Sequence, residues 1–293
     1  TPITQANIQT AVNEWITNPA QATATYGHIS DWDTSKVTNM TNLFLNKSTF
    51  NDDISGWDTS NVSTMNNTFQ SASAFNKPLN NWNVSNVTSM YYMFVNASAF
   101  NQDISGWNVS NVYDMEGMFG SATSFSQQLN NWDVSGVQNM KLMFYGATSF
   151  NSPLSDWDVS NVNSMESMFL FATSFNRPIW NWKVNNVSNM TNMFYYASSF
   201  NQDLSSWCVS NIGSEPAGFA ASSALTSNNK PSWGTCREAE INTNGCLECD
   251  QFAVGEWLSH AGDSVLVVNR SMLDSLISNT SYDLEYVCLS KVD

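Results

Sequence analysis

The amino-acid sequence predicts an α/β solenoid, a right-handed coil of short parallel strands and short helices that is capped at both ends. Three observations predict this fold class. Tryptophan recurs every 25 residues, other apolar residues keep the same period, and each copy holds a strand-like segment followed by a helix-like segment. A fixed period of about 20 to 50 residues is typical of solenoids, in which each repeat buries its apolar face against its neighbours.

The tryptophan column sets the phase of the repeat. A valine or isoleucine follows each tryptophan by five residues, a methionine follows by eight, and two phenylalanine columns and one isoleucine or leucine column complete the pattern. We expect each tryptophan to be buried and stacked on its counterpart one coil away. The column consists of Trp32, Trp57, Trp82, Trp107, Trp132, Trp157, Trp182 and Trp207.

One repeat, residues 79–103, contains both predicted elements. Trp82 and Val84 alternate with polar residues, as in a half-buried strand. With Leu79 they resemble the short strand of leucine-rich repeats. Apolar residues across 87–94 lie at helical spacing and predict a short helix. Stacked copies would therefore form a parallel sheet on one face and short helices on the other.

The repeats divide the chain into four parts. The closing residues Cys288–Asp293 repeat the opening Asp33–Thr38 of the first repeat, which indicates that a second array could follow. Exposed solenoid ends need caps. We predict an N-terminal capping helix in 1–28, seven repeats in 29–207, a disulfide-closed C-terminal cap in 208–236, and a linker module in 237–293.

Composition and motifs exclude several function classes. The formal net charge of −15 argues against nucleic acid and anionic lipid as partners. No apolar run approaches the roughly 20 residues that a membrane helix needs. The two histidines, His28 and His260, do not stand in a zinc-hydrolase motif, and no nucleophile elbow or phosphate-binding glycine loop occurs. The sequence therefore predicts no enzyme, no cofactor and no metal site.

The repeat W-x-V-S-N-V-x-x-M-x-x-M-F-x-x-A-x-x-F-N resembles the BspA-like surface-protein repeat, also described as a mycoplasma lipoprotein-associated repeat. The resemblance covers residues 29 to about 236. It implies a secreted or cell-surface protein used for adhesion, matrix or interaction, and it implies no known reaction. Residues 207–236 are similar to the family's terminal cap, and residues 247–288 are similar to linker modules of longer relatives.

The five cysteines all follow the regular repeats, so we assign them to the cap and the linker. We pair Cys208 with Cys236 and Cys249 with Cys288, which leaves Cys246 free or available to cross-link chains. Cys246 and Cys249 form a Cys-x-x-Cys motif, for which a structural disulfide role is favoured over a redox or zinc role. Disulfides imply an oxidising compartment.

Asn-x-Ser/Thr sequons are abundant, and some would be glycosylated in a eukaryotic secretory host. None lies between Asn108 and Asn186. That gap contains our candidate contact surface, which consists of Tyr113, Lys141, Tyr145, Arg177 and Trp180. The glycosylation candidates are Asn39, Asn46, Asn61, Asn66, Asn83, Asn86, Asn96, Asn108, Asn186, Asn189, Asn269 and Asn279.

These observations favour an extracellular, non-enzymatic repeat scaffold that is secreted or held at the cell surface. Two hypotheses remain open at this point. The first is a structural or self-assembling subunit of a surface, matrix or filament, in which copies contact one another head to tail. The second is an adhesin or ligand-binding module with a partner at a cell surface or in a matrix. Bound sugars are the only non-protein group that the sequence suggests.

Overall fold

The computed structural model describes residues 1–236 and, beyond them, the backbone of three strands. Two α-helices precede the repeats, α1 (Ile8–Thr17) and α2 (Pro19–Tyr26). Short 3₁₀ turns cover Ile29–Asp31 and Ser227–Asn229. The strands are β1 (Trp257–His260), β2 (Asp263–Val268) and β3 (Val287–Leu289), and β2 pairs antiparallel with β1 and parallel with β3.

The predicted fold class is wrong, because the described repeats contain neither the parallel strands nor the short helices. From residue 32 to residue 226 the chain forms successive turns. Neighbouring coils are joined by isolated parallel bridges that fall seven residues after the tryptophans, and not on the segment around Trp82. The bridged pairs are Asn39 with Thr64, Thr64 with Ser89, Ser89 with Asp114, Asp114 with Asn139, Asn139 with Ser164, and Ser164 with Asn189.

The strand prediction failed because side-chain hydrogen bonds, and not backbone hydrogen bonds between strands, join the neighbouring coils next to Trp82 and Val84. The alternation itself is present, since Trp82 and Val84 are only 3% and 1% exposed. However, the neighbouring coil is held there by an asparagine, and Asn86 Nδ2 donates to the carbonyl of Ser60 at 2.7 Å. Buried side chains at every second residue therefore do not require a strand.

The helix prediction failed because consecutive turns reproduce helical spacing. The N–H of Met93 donates to the carbonyl of Met90 at 3.1 Å, which closes a turn of four residues. The next N–H, of Phe94, donates to Met118 in the following coil at 2.9 Å. An α-helix would direct both N–H groups to carbonyls four residues earlier in the same segment. Successive four-residue turns point the same apolar residues inward, but they leave alternate N–H groups to join the coils.

The prediction for the tryptophan column is confirmed. Every tryptophan of the column is buried, and five of the seven pairs of rings one coil apart stack, as Trp57 and Trp82 do with centroids 6.4 Å apart. The phenylalanine columns stack in the same direction, and within one coil Phe94 lies against Phe100 at 4.0 Å. The core is therefore a set of parallel columns of rings that run along the stack of coils.

Both ends of the described coils are covered. At the N-terminal end, Gln5 Oε1 accepts from the N–H groups of Thr38 and Asn39 at 2.9 and 2.8 Å. The capping helix predicted in 1–28 is two helices, α1 and α2. Helix α1 buries Trp15, whose Nε1 donates to Asp52 Oδ2 at 2.8 Å.

At the C-terminal end, a disulfide joins Cys208 and Cys236. The N–H of Val209 donates to the carbonyl of Thr235 at 2.9 Å, so the last segment folds back along the final coil. Cys246 and Cys249 lie outside the described residues, and of Cys288 only the backbone in β3 is described.

Candidate binding surface

One segment of each coil combines a regular backbone with variable outward side chains. We call it the turn segment, and its first copy is residues 40–47. Its methionine and phenylalanine point into the core, while alternate N–H groups donate to the next coil. Met40 N donates to Thr64 O at 3.0 Å and Phe44 N donates to Thr68 O at 2.8 Å. The later copies are residues 65–72, 90–97, 115–122, 140–147, 165–172 and 190–197.

The turns place two residues of each turn segment in the left-handed region of backbone conformation. We call the second of these positions the left-handed column. Asparagine and glycine tolerate this conformation, whereas for other residues it costs roughly 1–2 kcal/mol. The column contains Asn46, Ser71, Asn96, Ser121, Gly146, Phe171 and Tyr196, with φ between 53° and 63°.

Phe171 and Tyr196 are the exceptions in this column, because both are large and both lie at the surface. Phe171 has φ 58° and is 39% exposed, and Tyr196 has φ 55° and is 44% exposed. Burial does not explain these aromatic rings, and the backbone conformation disfavours them. They are therefore candidates for a functional role.

The two rings belong to a cluster that we call the aromatic patch, formed by Tyr145, Phe171, Tyr195 and Tyr196. Phe171 stacks on Tyr196 with centroids 5.2 Å apart and meets Tyr195 edge-on at 6.1 Å. Tyr145 approaches Phe171 edge-on at 6.2 Å. Contiguous exposed apolar groups of this kind mark interaction sites more often than isolated ones do.

The charges next to the aromatic patch are paired with each other. Lys141 Nζ lies 3.4 Å from Glu166 Oε2, and Asn189 Nδ2 donates to the same carboxylate oxygen at 3.1 Å. Both charged side chains are about one-third exposed, so solvent weakens the ion pair. The pairing leaves the patch without a strong local charge, although the whole chain is acidic.

A second aromatic pair lies at the other end of the same face. Tyr91 and Tyr92 have ring centroids 4.2 Å apart, and Tyr92 Oη donates to Glu116 Oε1 at 3.3 Å. Burial, with a further contribution from the Glu116 carboxylate, raises the pKa of Tyr92. A Cβ on Gly117 would lie 1.9 Å from the Tyr92 ring, so this ring position requires glycine there.

Acidic groups occupy the face between the two aromatic clusters. Burial raises the pKa of Asp114, whose Oδ1 accepts from Asn139 Nδ2 at 3.2 Å. The same amide donates to Glu116 Oε2 at 3.0 Å. Among residues 1–236 no three His, Cys, Asp or Glu side chains are placed to hold a metal ion together.

The five residues of the candidate contact surface predicted from the sequence do not lie on one segment of the coil. Lys141 and Tyr145 lie on the turn segment, and Tyr145 belongs to the aromatic patch. Tyr113 is 51% exposed and stands next to the bridge residue Asp114.

The other two predicted contact residues lie on the segment that precedes Trp182. Arg177 is exposed, and its Nε donates to the carbonyl of Asn151 at 2.7 Å. Trp180 is half-buried, and its carbonyl accepts from Ser206 Oγ at 3.0 Å.

Phe171, Tyr195 and Tyr196 are absent from the predicted surface. A usable signal was present, because Phe171 and Tyr196 occupy a repeat position where the other copies carry Asn, Ser or Gly. Recognising it required the knowledge that this position is left-handed. The predicted glycosylation asparagines all lie within the described residues except Asn269 and Asn279.

Comparison with known proteins identifies one family. A family model described as "Mycoplasma protein of unknown function, DUF285" matches residues 16–132 and 114–233, which together span most of the chain. No curated protein and no solved structure matches the chain significantly. Within residues 1–236 and the three strands, no helix is long and apolar enough to cross a bilayer.

Proposed function

This chain belongs to the DUF285 family, whose function is unknown, and from that premise we propose that it is an extracellular, non-enzymatic repeat scaffold. We further propose that it is a BspA-like surface protein whose aromatic patch binds a partner at a cell surface or in a matrix. The patch is formed by Tyr145, Phe171, Tyr195 and Tyr196.

The observation that carries this proposal is the pair of exposed aromatic residues at left-handed positions, Phe171 and Tyr196. Local stability favours Asn or Gly at both positions. Tyrosine and other aromatic residues supply large contact areas at low cost in side-chain entropy, and they dominate binding energies at protein interfaces. An aromatic residue that is both exposed and strained fits a contact with a partner better than a role in folding.

The proposed location rests on the cap and on the charge. Cys208 and Cys236 are joined, and stable disulfides are typical of oxidising compartments. The net charge of −15 favours solubility and disfavours binding to nucleic acid or anionic lipid.

Self-assembly is the second candidate function, and the described ends of the coils give it less support. Gln5 pairs with backbone groups of the first coil, and Gln9 Nε2 donates to the carbonyl of Leu43 at 3.2 Å. Backbone N–H and C=O groups that already have partners at the end of the coils are not available to bind a second copy. The predicted head-to-tail role of residues 237–293 lies outside the residues described in full and stays a prediction.

The test compares binding by the full chain with binding by patch variants made in a host without N-glycosylation. Labelled protein is applied to immobilised neutral polysaccharides and to immobilised extracellular-matrix proteins. The double variant Phe171→Asn with Tyr196→Asn removes both exposed rings at positions that favour asparagine. Tyr113→Asn is the matched control, because it removes an equally exposed ring outside the patch.

We expect the double variant to reduce binding at least tenfold and the control variant to leave it unchanged. Equal binding by the double variant and the wild type would contradict the patch as the binding surface. A wild-type chain that binds none of these materials and sediments as polymers would favour the self-assembling subunit instead.

A further inference from the structure

The left-handed column has a second property that concerns covalent modification. Each of its residues is followed two positions later by serine or threonine, with alanine or lysine between them. Any asparagine in this column is therefore an N-glycosylation sequon. The native column contains two asparagines, in the sequences Asn46-Lys47-Ser48 and Asn96-Ala97-Ser98.

Asn46 and Asn96 have side chains that are free to react. Both residues are exposed, with φ 59° and 58°. Their backbone N–H groups donate to the carbonyls of Gln70 and Gly120 at 2.8 and 2.7 Å, which fixes the backbone. Among the described residues, no hydrogen bond involves either side-chain amide.

Three other sequon asparagines are held between coils by the same nitrogen that would carry a sugar. They occupy one repeat position, four residues after a tryptophan. Their Nδ2 atoms donate to backbone carbonyls of the preceding coil. The bonds run from Asn61 to Ser35 at 2.9 Å, from Asn86 to Ser60 at 2.7 Å, and from Asn186 to Ser160 at 2.6 Å.

The remaining described sequons are engaged in other ways. Asn189 Nδ2 donates to Glu166 Oε2 at 3.1 Å. Asn39, Asn83 and Asn108 use Oδ1 to accept from residues of their own sequons, at 2.7, 3.0 and 3.2 Å from the backbone nitrogens. Asn66 Oδ1 accepts from Ser89 Oγ at 2.6 Å.

We propose that Asn46 and Asn96 are N-glycosylation sites of the folded chain and that Asn61, Asn86 and Asn186 remain unmodified. In the reaction, Nδ2 gives one proton to a basic group of the host's transferase and bonds to the anomeric carbon of an oligosaccharide carried on a lipid diphosphate. The bond from that carbon to the diphosphate oxygen breaks, and the lipid diphosphate leaves with the electron pair. At the three nitrogen-bonded sites, a sugar would have to enter the contact between two coils.

The sugars would then occupy one end of the face that carries the aromatic patch. Asn46 and Asn96 lie in the first and third coils, while Phe171 and Tyr196 lie in the sixth and seventh coils of the same column. Three coils separate Asn96 from Phe171, or about 15 Å at the usual spacing of neighbouring backbones. Glycans would shield the N-terminal coils and leave the patch accessible. The site assignment itself does not depend on the proposed binding function.

The experiment maps sugar occupancy on the full chain secreted from a eukaryotic host. Glycans are removed with an amidase in heavy-oxygen water, which marks each previously occupied asparagine by mass, and peptides are then quantified. We expect Asn46 and Asn96 to be occupied in most molecules and Asn61, Asn86 and Asn186 to be empty. Comparable occupancy at any of the latter three, or empty Asn46 and Asn96, would overturn the proposal.

Two variants test whether occupancy depends on the repeat position of the asparagine, and not only on the presence of a sequon. Ser121→Asn places an asparagine before Ala122-Thr123 in the left-handed column and should add one glycan. Asn163→Ser completes a sequon at Asn161, whose Nδ2 donates to the carbonyl of Ser135 at 2.7 Å, and should add none. Serine occurs at the position equivalent to 163 in other repeats, so this change suits the fold. The opposite result for either variant contradicts the role of the nitrogen contact.

Discussion

The indole nitrogen of Trp107 donates a hydrogen bond to the carbonyl oxygen of Leu79 in the preceding coil, at 3.0 Å. The same contact recurs along the column, from Trp57 to Ile29 at 2.9 Å through Trp207 to Ile179 at 3.0 Å. The Leu79 carbonyl also accepts from the backbone N–H of Trp82 at 3.0 Å, so the indole adds a second bond to it and gives its own buried N–H a partner. This contact explains why tryptophan, and not phenylalanine, keeps this position in every repeat.

The first prediction separates the hydrogen bond of Trp107 from its packing. Trp107→Phe keeps an aromatic ring but removes the indole donor, while the Leu79 carbonyl keeps its bond from the N–H of Trp82. We expect a loss of about 0.5–1.5 kcal/mol, the net value of one hydrogen bond. Trp107→Ala also opens a cavity and should cost about 3–5 kcal/mol. Urea unfolding followed by circular dichroism measures both. If Trp107→Phe were as stable as the wild type, the hydrogen bond would not explain the column.

A second prediction concerns strain at Tyr196. Tyr196→Asn should leave the free energy of unfolding unchanged or raise it by up to about 1 kcal/mol, because asparagine tolerates the left-handed backbone. Tyr195→Asn is the matched control, because Tyr195 lies in the same patch but does not have a positive φ. This variant should be destabilising, since it removes the packing against Phe171 and relieves no strain. Both variants should be made without N-glycosylation, since Tyr196→Asn creates a sequon. A larger loss at Tyr196 than at Tyr195 would contradict strain at this position.

The sequence predicted the period, the buried columns and the need for caps, because these depend on which side chains avoid water. It did not predict the backbone that carries them. In the turns, an N–H bonds to the carbonyl three residues earlier. Such turns give Met90 and Phe94 the same inward spacing as a helix does. The pattern of buried residues cannot distinguish the two, and only the direction of the backbone N–H groups does.

The candidate surface could be predicted only in part for the same reason. Tyr145 and Lys141 were found because they are large or charged in a segment without sequons. Phe171 and Tyr196 were missed because their importance depends on positive φ, which the sequence does not report. Similarly, all sequons look alike in the sequence, although Asn86 is bonded between coils and Asn96 is free.

The third prediction concerns the disulfide of the C-terminal cap. Cys208 and Cys236 are 28 residues apart, and closing a loop of this length contributes roughly 3 kcal/mol in the chain-entropy account. Cys208→Ala with Cys236→Ala should lose about that amount of unfolding free energy. A reducing agent should destabilise the wild type more than the double variant, in which only the predicted Cys249–Cys288 bond is left to reduce. Equal stability of the two proteins under oxidising conditions would show that the cap does not depend on the bond.

The last prediction concerns acid. Hydrogen bonds from the side chain and backbone of Ser60 lower the pKa of Asp58, and equivalent serines lower the pKa of Asp33, Asp53, Asp103 and Asp158. A lowered pKa in the folded state adds stability above the unfolded pKa of about 3.9, and this stability is lost as pH falls through the folded pKa. The melting temperature should therefore stay level from neutral pH to about 5 and fall below about 4.

Asp58→Asn tests whether these turns carry the acid dependence. Asn83 already accepts from Ser85 N at 3.0 Å at the equivalent position, so asparagine keeps the turn and removes the titration. The variant should match the wild type in acid more closely than at neutral pH. Asp114, whose pKa burial raises, titrates with the opposite sign, so Asp114→Asn should steepen the acid loss. A wild-type melting temperature that rises below pH 4 would contradict the assignment to the serine-bonded aspartates.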